Sequence, residues 1–457
     1  MEDRIIQRLK ELLGPGGVSL AEKDLEAFSR DARLKGPLAE AVLWPGSTRE
    51  VAGVVRLANE HGFGLTARGG GSGLTGGSLP VPGGAVLALD RMDRILEVDP
   101  LDLVARVEPG VLTADLQGAV EEKGLFYPPD PASREICTIG GNLAENAGGI
   151  RALKYGTTRD YVLGLTAVLG DGRVVRTGTR TVKGVVGFDL TRLLVGSEGT
   201  LGVITEATLK LIPLPPARAT LVGVFADLGA AARAVNAVLG RGILPVALEF
   251  MDRATLKAVA GLLPFALEPG EGAFLLVEVD GPAQGVREES ETVGRILKES
   301  KGRVVRARNP QEAEELWAAR RGVSEALKGV RGAKKAEDVV VPRSALEALV
   351  RGLEKIGRGL GLATAAYGHA GDGNVHANIL FDKESEEEAE AAQEAVARLF
   401  RLTLDLGGTI SGEHGVGTSK AAFLDWELGP GEIGLMKELK TVFDPQGVLN
   451  PGKIFGD

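Results

Sequence analysis

The sequence predicts a two-domain α+β protein, and three observations lead there. Short strand-like and helix-like segments alternate over residues 1–215. A cluster of Pro213, Pro215 and Pro216 then interrupts both patterns, since proline neither continues a helix nor donates to a sheet. Beyond it, in 216–457, the elements lengthen, and strands mixed with returning helices imply an antiparallel sheet flanked by helices. The last segment, about 410–457, is expected to return toward the site of the first domain.

In chain order, Ser47 and Glu50 form a capping box for a helix that buries Val51, Val54, Val55 and Ala58 and ends near Gly62. A strand at Leu65–Ala67 enters a glycine patch. Strands follow at Ala85–Leu89 and Leu103–Val107, then a helix at Leu112–Glu122 capped by Thr113. The stretch Leu165–Thr177 reads as a hairpin turning at Asp171-Gly172, and Val203–Ile212 as a strand. The second domain gives strands at 219–225, 246–250, 273–279, 303–307, 363–368 and 375–381, and helices at 228–239, 284–300, 310–328 and 384–406. Asp444–Phe455 reads as coil.

Composition excludes several classes. With 53 Lys+Arg against 62 Asp+Glu the net charge is -9, the wrong sign for a protein that lives on phosphate backbones, so nucleic acid is not expected as a partner. Cys137, the single cysteine, cannot form an intrachain disulfide, and MEDRIIQRLKELL lacks the apolar core of a signal peptide. A cytoplasmic location is expected. No apolar run reaches the roughly 18 to 20 residues of a membrane span, so direct membrane insertion is not expected.

Glycine is the anomaly, at 65 of 457 residues and about twice the usual ~7%. It concentrates at Arg68–Gly77, Gly140–Gly149, Gly196–Gly202 and Gly368–Gly373. Gly71-Ser72-Gly73-Leu74-Thr75-Gly76 fits G-x-G-x-x-G, but GGSLPVPGG follows and cannot open a helix, and the acidic residue that should close a strand about 20 positions on is not clearly present. The patch therefore reads as a nest of backbone N–H groups for phosphate oxygens. A long surface loop is the other reading of that patch.

Three of the four histidines fall in two motifs, Tyr367-Gly-His369-Ala-Gly-Asp372-Gly373-Asn374-Val-His376 and Gly412-Glu413-His414-Gly415. With Asp372-Gly373 at the centre of a tight hairpin, position 369 faces 376, and two imidazoles ~5 Å apart on one face can converge on Zn, Mn, Fe or Co. A carboxylate should complete such a site, and Glu413 supplies one. Hydrogen bonding within a glycine-rich hairpin remains the alternative on the residues alone. His61, beside Gly62, reads as a solvated helix-end residue.

Six ordered motifs, RGGGSGLTGG, PPDPASREICTIGGNLAENAGG, GSEGTLGVITEATLKLIP, GHAGDGNVHANIL, SGEHGVGTSK and NPGKIF, resemble the FAD-linked oxidases of the vanillyl-alcohol-oxidase type. Within these they look most like the D-2-hydroxyacid dehydrogenases, a group that includes glycolate oxidase FAD subunits and FAD-dependent D-lactate dehydrogenases. The resemblance runs from about residue 40 to 457 and implies an FAD-binding domain followed by a substrate cap. It implies FAD contacts at Arg68, Gly69, Gly70, Gly71, Ser72, Gly73, Leu74, Thr75 and Gly76; at Pro129, Asp130, Ser133, Thr138, Gly140, Gly141, Asn142, Asn146, Gly148, Gly149 and Ile150; and at Glu198, Gly199, Gly202, Ile204 and Asn450. Ser72 stands where several relatives carry a histidine bonded to flavin, which implies non-covalent FAD, with Cys137 a small buried residue.

The resemblance further implies metal ligands His369, His376 and Glu413, Zn first among the metals, and His414 as the base. Arg320, from Trp317-Ala-Ala-Arg320, would take the substrate carboxylate, with Ser324 and Asn374 beside it; on sequence alone an Arg320 ion pair with Glu315 fits equally. Relatives acting on larger dicarboxylates carry a lysine where this chain has Ala336, with Lys334 and Lys335 displaced, which favours glycolate or D-lactate. The alternatives are a flavin-free metallohydrolase and a non-catalytic flavoprotein subunit of a redox complex. Partner redox subunits, an iron–sulfur protein among them, are implied, with attachment at the inner membrane through those partners; a homodimer is compatible with the sequence.

Overall fold

A computed structural model describes residues 1–456. The chain forms two compact units. The first comprises Met1–Gly149, Gly156–Leu214 and the chain from Glu413 on; the second comprises Ile150–Tyr155 and Pro215–Gly412. The division after Leu214 falls at the proline cluster. The crossing of Ile150–Tyr155 into the second unit was not expected, because nothing local in GIRALKYG separates it from its neighbours.

The first unit holds two main sheets. One has strands Val18–Ser19, Ala41–Leu43, Ala85–Ala88 and Leu65–Arg68 in that spatial order, with the last two pairings parallel. Its central strands are apolar on both faces, as a parallel sheet covered on both sides requires. Helix Thr48–His61 packs Val51, Val54, Val55 and Ala58 with Leu43, Leu65 and Leu87, and helix Asp3–Leu13 adds Ile5, Ile6, Leu9 and Leu13. Ser47 Oγ accepts the Glu50 N–H at 3.3 Å, Glu50 Oε2 accepts the Gly46 N–H at 2.7 Å, and Gly62 closes the helix in the left-handed region, at φ 69°. The other sheet is antiparallel, in the order Ile95–Asp99, Val104–Val107, Val203–Lys210, Val162–Val168, Val174–Gly178. Its last two strands are the hairpin expected around Asp171-Gly172.

The second unit is built on a seven-stranded antiparallel sheet, in the order Arg303–Arg306, Ala217–Phe225, Ala273–Gly281, Ala247–Met251, Ala363–His369, Asn374–Phe381, Ala333–Val340. Val222, Val224, Phe274, Leu276, Met251 and Ala365 supply its core, against Leu316, Trp317, Val323 and Leu327.

Four local expectations change. Thr113 does not cap its helix: Leu112 is the N-cap, and the Thr113 hydroxyl lies 3.2 Å from Cys137 Sγ and takes the Asn142 amide at 2.7 Å. The helix expected over 310–328 breaks at Gly322 into Pro310–Arg321 and Val323–Arg331; a Cβ at that junction would sit 2.7 Å from Leu262. The strand Ala333–Val340 was missed because AKKAEDVV alternates weakly. Helix Pro430–Phe443 was also missed; the tail beyond it is coil, as expected, and docks on the first sheet, where the Leu65 N–H donates to Val448 O and the Asn450 N–H to Leu65 O, both at 2.7 Å.

Candidate active site

In the first unit, the glycine patches close around a cavity of about 390 Å³. Loop 69–77 runs from strand Leu65–Arg68 without entering a helix, which removes the dinucleotide-helix reading of G-x-G-x-x-G. It is not a free surface loop either. Asp31 Oδ2 accepts the Gly76 N–H at 2.9 Å, and Gly73 O accepts the Ala32 N–H at 3.1 Å. Glycine is required by close approach: a Cβ on Gly70 would lie 2.0 Å from Ile136 O, and one on Gly69 would lie 2.2 Å from Thr138 Oγ1. The patch at 140–149 contributes a short helix, Ile139–Glu145, capped by Thr138 Oγ1 on the Gly141 N–H. A cradle of backbone polar groups whose glycines a Cβ would block fits a flat, phosphate-bearing cofactor such as FAD.

The expected FAD residues divide into wall and frame. Arg68 to Leu74, Ser133, Thr138, Gly140, Gly141, Asn142, Gly148, Glu198, Gly199, Gly202 and Ile204 line the cavity. Thr75, Gly76, Pro129, Asp130, Asn146, Gly149 and Asn450 do not; they brace it. Asn146 sits at φ 54° and Asn450 at φ 46°, each held by its side chain. Asn146 Oδ1 accepts the Arg159 N–H at 2.9 Å, while Asn450 Nδ2 donates to Gly77 O and Glu198 O at 2.9 and 2.7 Å. Pro129 O takes the Gln117 amide at 2.9 Å, and Gly149 pairs with Asp130 where a Cβ would meet Asp130 O at 2.1 Å. Ile150 leaves the cradle altogether and packs on the core of the second unit. Ser72 is in the wall, whereas Cys137 is buried outside it.

Glu413 and His414 stand in the same wall. Their loop is mounted on the cradle by backbone bonds. Thr75 Oγ1 donates to His414 O at 3.1 Å, Thr75 O accepts the N–H groups of Thr418 and Ser419, and the Glu198 carboxylate accepts those of Val416 and Gly417 at 2.8 and 2.7 Å. Glu413 Oε2 would lie 3.0 Å from a Cβ on Gly148.

The second unit carries the other charged group, mounted on its sheet. His369 and Glu249 are direct cross-strand partners, with His369 Nδ1 2.5 Å from Glu249 Oε1. Arg320, buried on helix Pro310–Arg321, places Nε and Nη2 at 2.8 and 2.7 Å from Glu249 Oε2 and its guanidinium 4.7 Å from the Tyr367 ring centre. Glu249 is fully buried; burial alone would raise its carboxyl, but His369 and Arg320 outweigh that and hold it below the usual range. The Arg320–Glu315 pairing is thereby replaced by a buried one.

The hairpin register differs from the expected one: His369 faces Asn374 and Tyr367 faces His376, because the turn takes four residues, Ala370–Gly373. The two imidazoles still meet, with ring centres 5.3 Å apart, since 374 and 376 share one face of their strand. His376 Nδ1 lies 3.8 Å from the buried Asp338, whose carboxylate also takes the Asn374 amide at 2.8 Å and the Gly412 N–H at 2.9 Å. His376 and the buried Asp338 offer an imidazole and a carboxylate, donor types that divalent ions take, while His369 Nδ1 is held by Glu249. Ser324 does not join Arg320: it is exposed, on a helix whose buried positions are Val323 and Leu327, and it accepts from Lys334 Nζ at 2.9 Å. Glu249 and Asp338 were missed, although the lone charge in the apolar run Ala247-Leu-Glu-Phe-Met251 was a signal for the first.

Two compact units, one with a glycine cradle and one with a sheet-mounted histidine and arginine group, define a two-domain flavin oxidoreductase. Residues 214–454 match the family of FAD linked oxidases, C-terminal domain, and residues 39–178 match the FAD binding domain family; the chain belongs to the FAD-linked oxidases. It is 42% identical over 453 residues to the glycolate oxidase subunit GlcD of Bacillus subtilis (strain 168), covering 98% of this chain and 96% of that one. It is 35% identical over 463 residues to the D-lactate dehydrogenase of Anaerostipes hadrus, covering 98% and 97%. The solved structure of p-cresol methylhydroxylase superposes with a TM-score of 0.83 at 20% identity, over 100% of this chain and 97% of that one, which shows the vanillyl-alcohol-oxidase-type fold. The chain is an FAD-dependent dehydrogenase or oxidase of the glycolate oxidase and D-lactate dehydrogenase type, and neither the metallohydrolase nor the non-catalytic alternative is favoured. No helix among the described residues is long and apolar enough to cross a membrane.

Proposed function

We propose that the protein oxidises a small D-2-hydroxy acid, glycolate or D-lactate, to the 2-oxo acid. The observation that carries this reading is the buried Arg320–Glu249–His369 group. Glu249 occupies Nε and Nη2 of Arg320, which leaves Nη1 for a substrate carboxylate. His369 and His376, with Glu413 one residue beyond the tethered Gly412, would hold a divalent ion, Zn first and Mn, Fe or Co as alternatives. Bound FAD supplies the hydride acceptor, and the ion lowers the pKa of the substrate hydroxyl. His414 takes the hydroxyl proton, and Asn374, whose Oδ1 is buried without a hydrogen-bond partner, orients the substrate.

A small substrate is supported by Lys334, which is engaged with Ser324 O and Oγ, and by Ala336 at the place of a second carboxylate anchor. FAD is held non-covalently, because Ser72 offers no imidazole and Cys137 lies outside the cavity wall. With one cysteine there is no ligand set for an iron–sulfur cluster, so electrons pass to a partner redox subunit, in the cytoplasm or at the membrane face.

The test is anaerobic bleaching of the yellow protein by short 2-hydroxy acids of both chiralities, followed by turnover with a dye acceptor. Glycolate or D-lactate should bleach it and D-2-hydroxyglutarate should do so far more slowly; bleaching by none of them would overturn the reading. Acid precipitation of the same sample should leave all flavin in the supernatant.

A further inference from the structure

Two glutamates of the cradle have no part in the chemistry above beyond framing it. Glu145 ends helix Ile139–Glu145, and Glu198 sits in the next glycine turn at φ 50°, its N–H donated to Ala144 O at 2.8 Å. Both line the cavity. Their carboxyls converge on the same two glycines. A Cβ on Gly415 would lie 2.2 Å from Glu145 Oε2 and 3.0 Å from Glu198 Oε1, so those oxygens are within about 5 Å of each other; one on Gly77 would lie 3.0 Å from Glu145 Oε1 and 3.6 Å from Glu198 Oε2.

The two surroundings differ in sign. Glu198 receives the Val416 and Gly417 N–H groups and lies in the field of the buried Lys420 and Lys453, which offset part of the cost of its burial. Glu145 Oε2 is buried with no hydrogen-bond partner. The charges acting on Glu145 are Glu198 and Asp31, the latter already committed to the Gly76 N–H. Burial first, then Glu198, then Asp31, drive its carboxyl well above the usual range. From the other elements around the cavity, the charged and titratable groups are Arg68, Glu413 and His414. Arg68 is turned onto Gly71 and the Phe28 ring.

We propose that Glu145 is a neutral carboxylic acid in the resting protein, so that the cradle presents one glutamate charge instead of two, and that its ionisation repels the anionic dinucleotide and weakens FAD binding at alkaline pH. Two carboxylates this close, one with a buried oxygen that no donor reaches, do not both ionise cheaply, and a pyrophosphate would add to the same field. The sign follows from linkage: the protonated form favours both the folded apo-protein and the complex, and that contribution is lost as pH rises through the folded ionisation of Glu145. The proposal rests on the reading of the cavity as the FAD site.

The experiment is titration of apo-protein with FAD, followed by flavin fluorescence, from neutral to moderately alkaline pH, in wild type and Glu145→Gln. Wild-type affinity should fall toward tenfold per pH unit above the ionisation, the limit for release of one proton. The variant, whatever its affinity at neutral pH, should give a flat profile across the same range. Parallel profiles would overturn the proposal. A second measurement needs no variant and no FAD: infrared spectra of apo-protein carrying ¹³C-labelled glutamate should show the carbonyl band of a protonated side chain at neutral pH, disappearing on alkalinisation. Absence of that band would overturn the proton assignment even where FAD binds, whereas failure of FAD to bind at any pH with the band present would strike the cofactor reading instead.

Discussion

The glycine cradle of the first unit and the charged group of the second solve opposite problems. The cradle is made of backbone. Its specificity comes from leaving out side chains at Gly69, Gly70 and Gly148, and its frame from side chains that bond its backbone, such as those of Asp31, Asn146 and Asn450. The second site is made of buried side chains that satisfy one another: Glu249 with Arg320 and His369, and Asp338 with the neutral donors Asn374 Nδ2 and the Gly412 N–H. A backbone site tolerates loss of one polar side chain but not added volume; a buried charge site tolerates neither the loss nor the neutralisation of one partner.

The largest expected effect separates chemistry from framework. His414→Ala should lower turnover roughly a hundred- to ten-thousand-fold, the usual worth of a general base, while FAD content stays at wild type, because His414 O and the Val416 and Gly417 N–H groups, which the substitution keeps, tie the loop to the cradle. Undiminished flavin reduction in rapid mixing would break the assignment; loss of FAD would show that the His414 side chain is needed to hold the loop on the cradle.

Next comes removal of one member of the buried charge group. Glu249→Ala leaves Arg320 and His369 without their shared carboxylate and should destabilise the second unit by about 3 to 5 kcal/mol, read by chemical denaturation. Glu249→Gln keeps the shape and should instead lower metal affinity about 10- to 100-fold, because His369 loses the carboxylate that orients its ring. Metal content unchanged in the Gln variant would mean that Glu249 serves Arg320 alone.

The smallest effect sharpens the backbone side of the comparison. Gly70→Ala introduces a single methyl group against Ile136 O and should cost about 1 to 3 kcal/mol, with FAD retention lost ahead of folding as temperature rises. A variant that keeps its flavin to the unfolding temperature would show that the loop has slack.

The cradle was legible because its parts are contiguous. A motif such as RGGGSGLTGG narrows its own purpose to backbone close approach or a long surface loop, and the later glycine patches favour the first. What was not legible there was the division between wall and frame: Thr75 and Asn146 look like their neighbours, and only the fold turns their polar atoms onto protein rather than into the cavity. In the second unit even the local geometry misled. A two-residue turn set His369 against His376; the actual turn is four residues long, and the pair meets on a diagonal because strand period, not turn length, decides which face a side chain takes.

The sequence by itself determined the fold class and offered the proline cluster after the first sheets as a boundary, because periodicity and prolines are properties of short stretches; it singled out the histidine motifs by their rarity, and the roles of His369, His376, Glu413, His414 and Arg320 came only as what the family resemblance implies. Only the tertiary structure decided their partners. Glu249 reaches His369 across 120 positions and Arg320 across 71, and Asp338 reaches Gly412 across 74. No local pattern can encode such pairings, since they follow from which strands lie side by side, and that order is fixed by burial of the whole sheet rather than by any one segment.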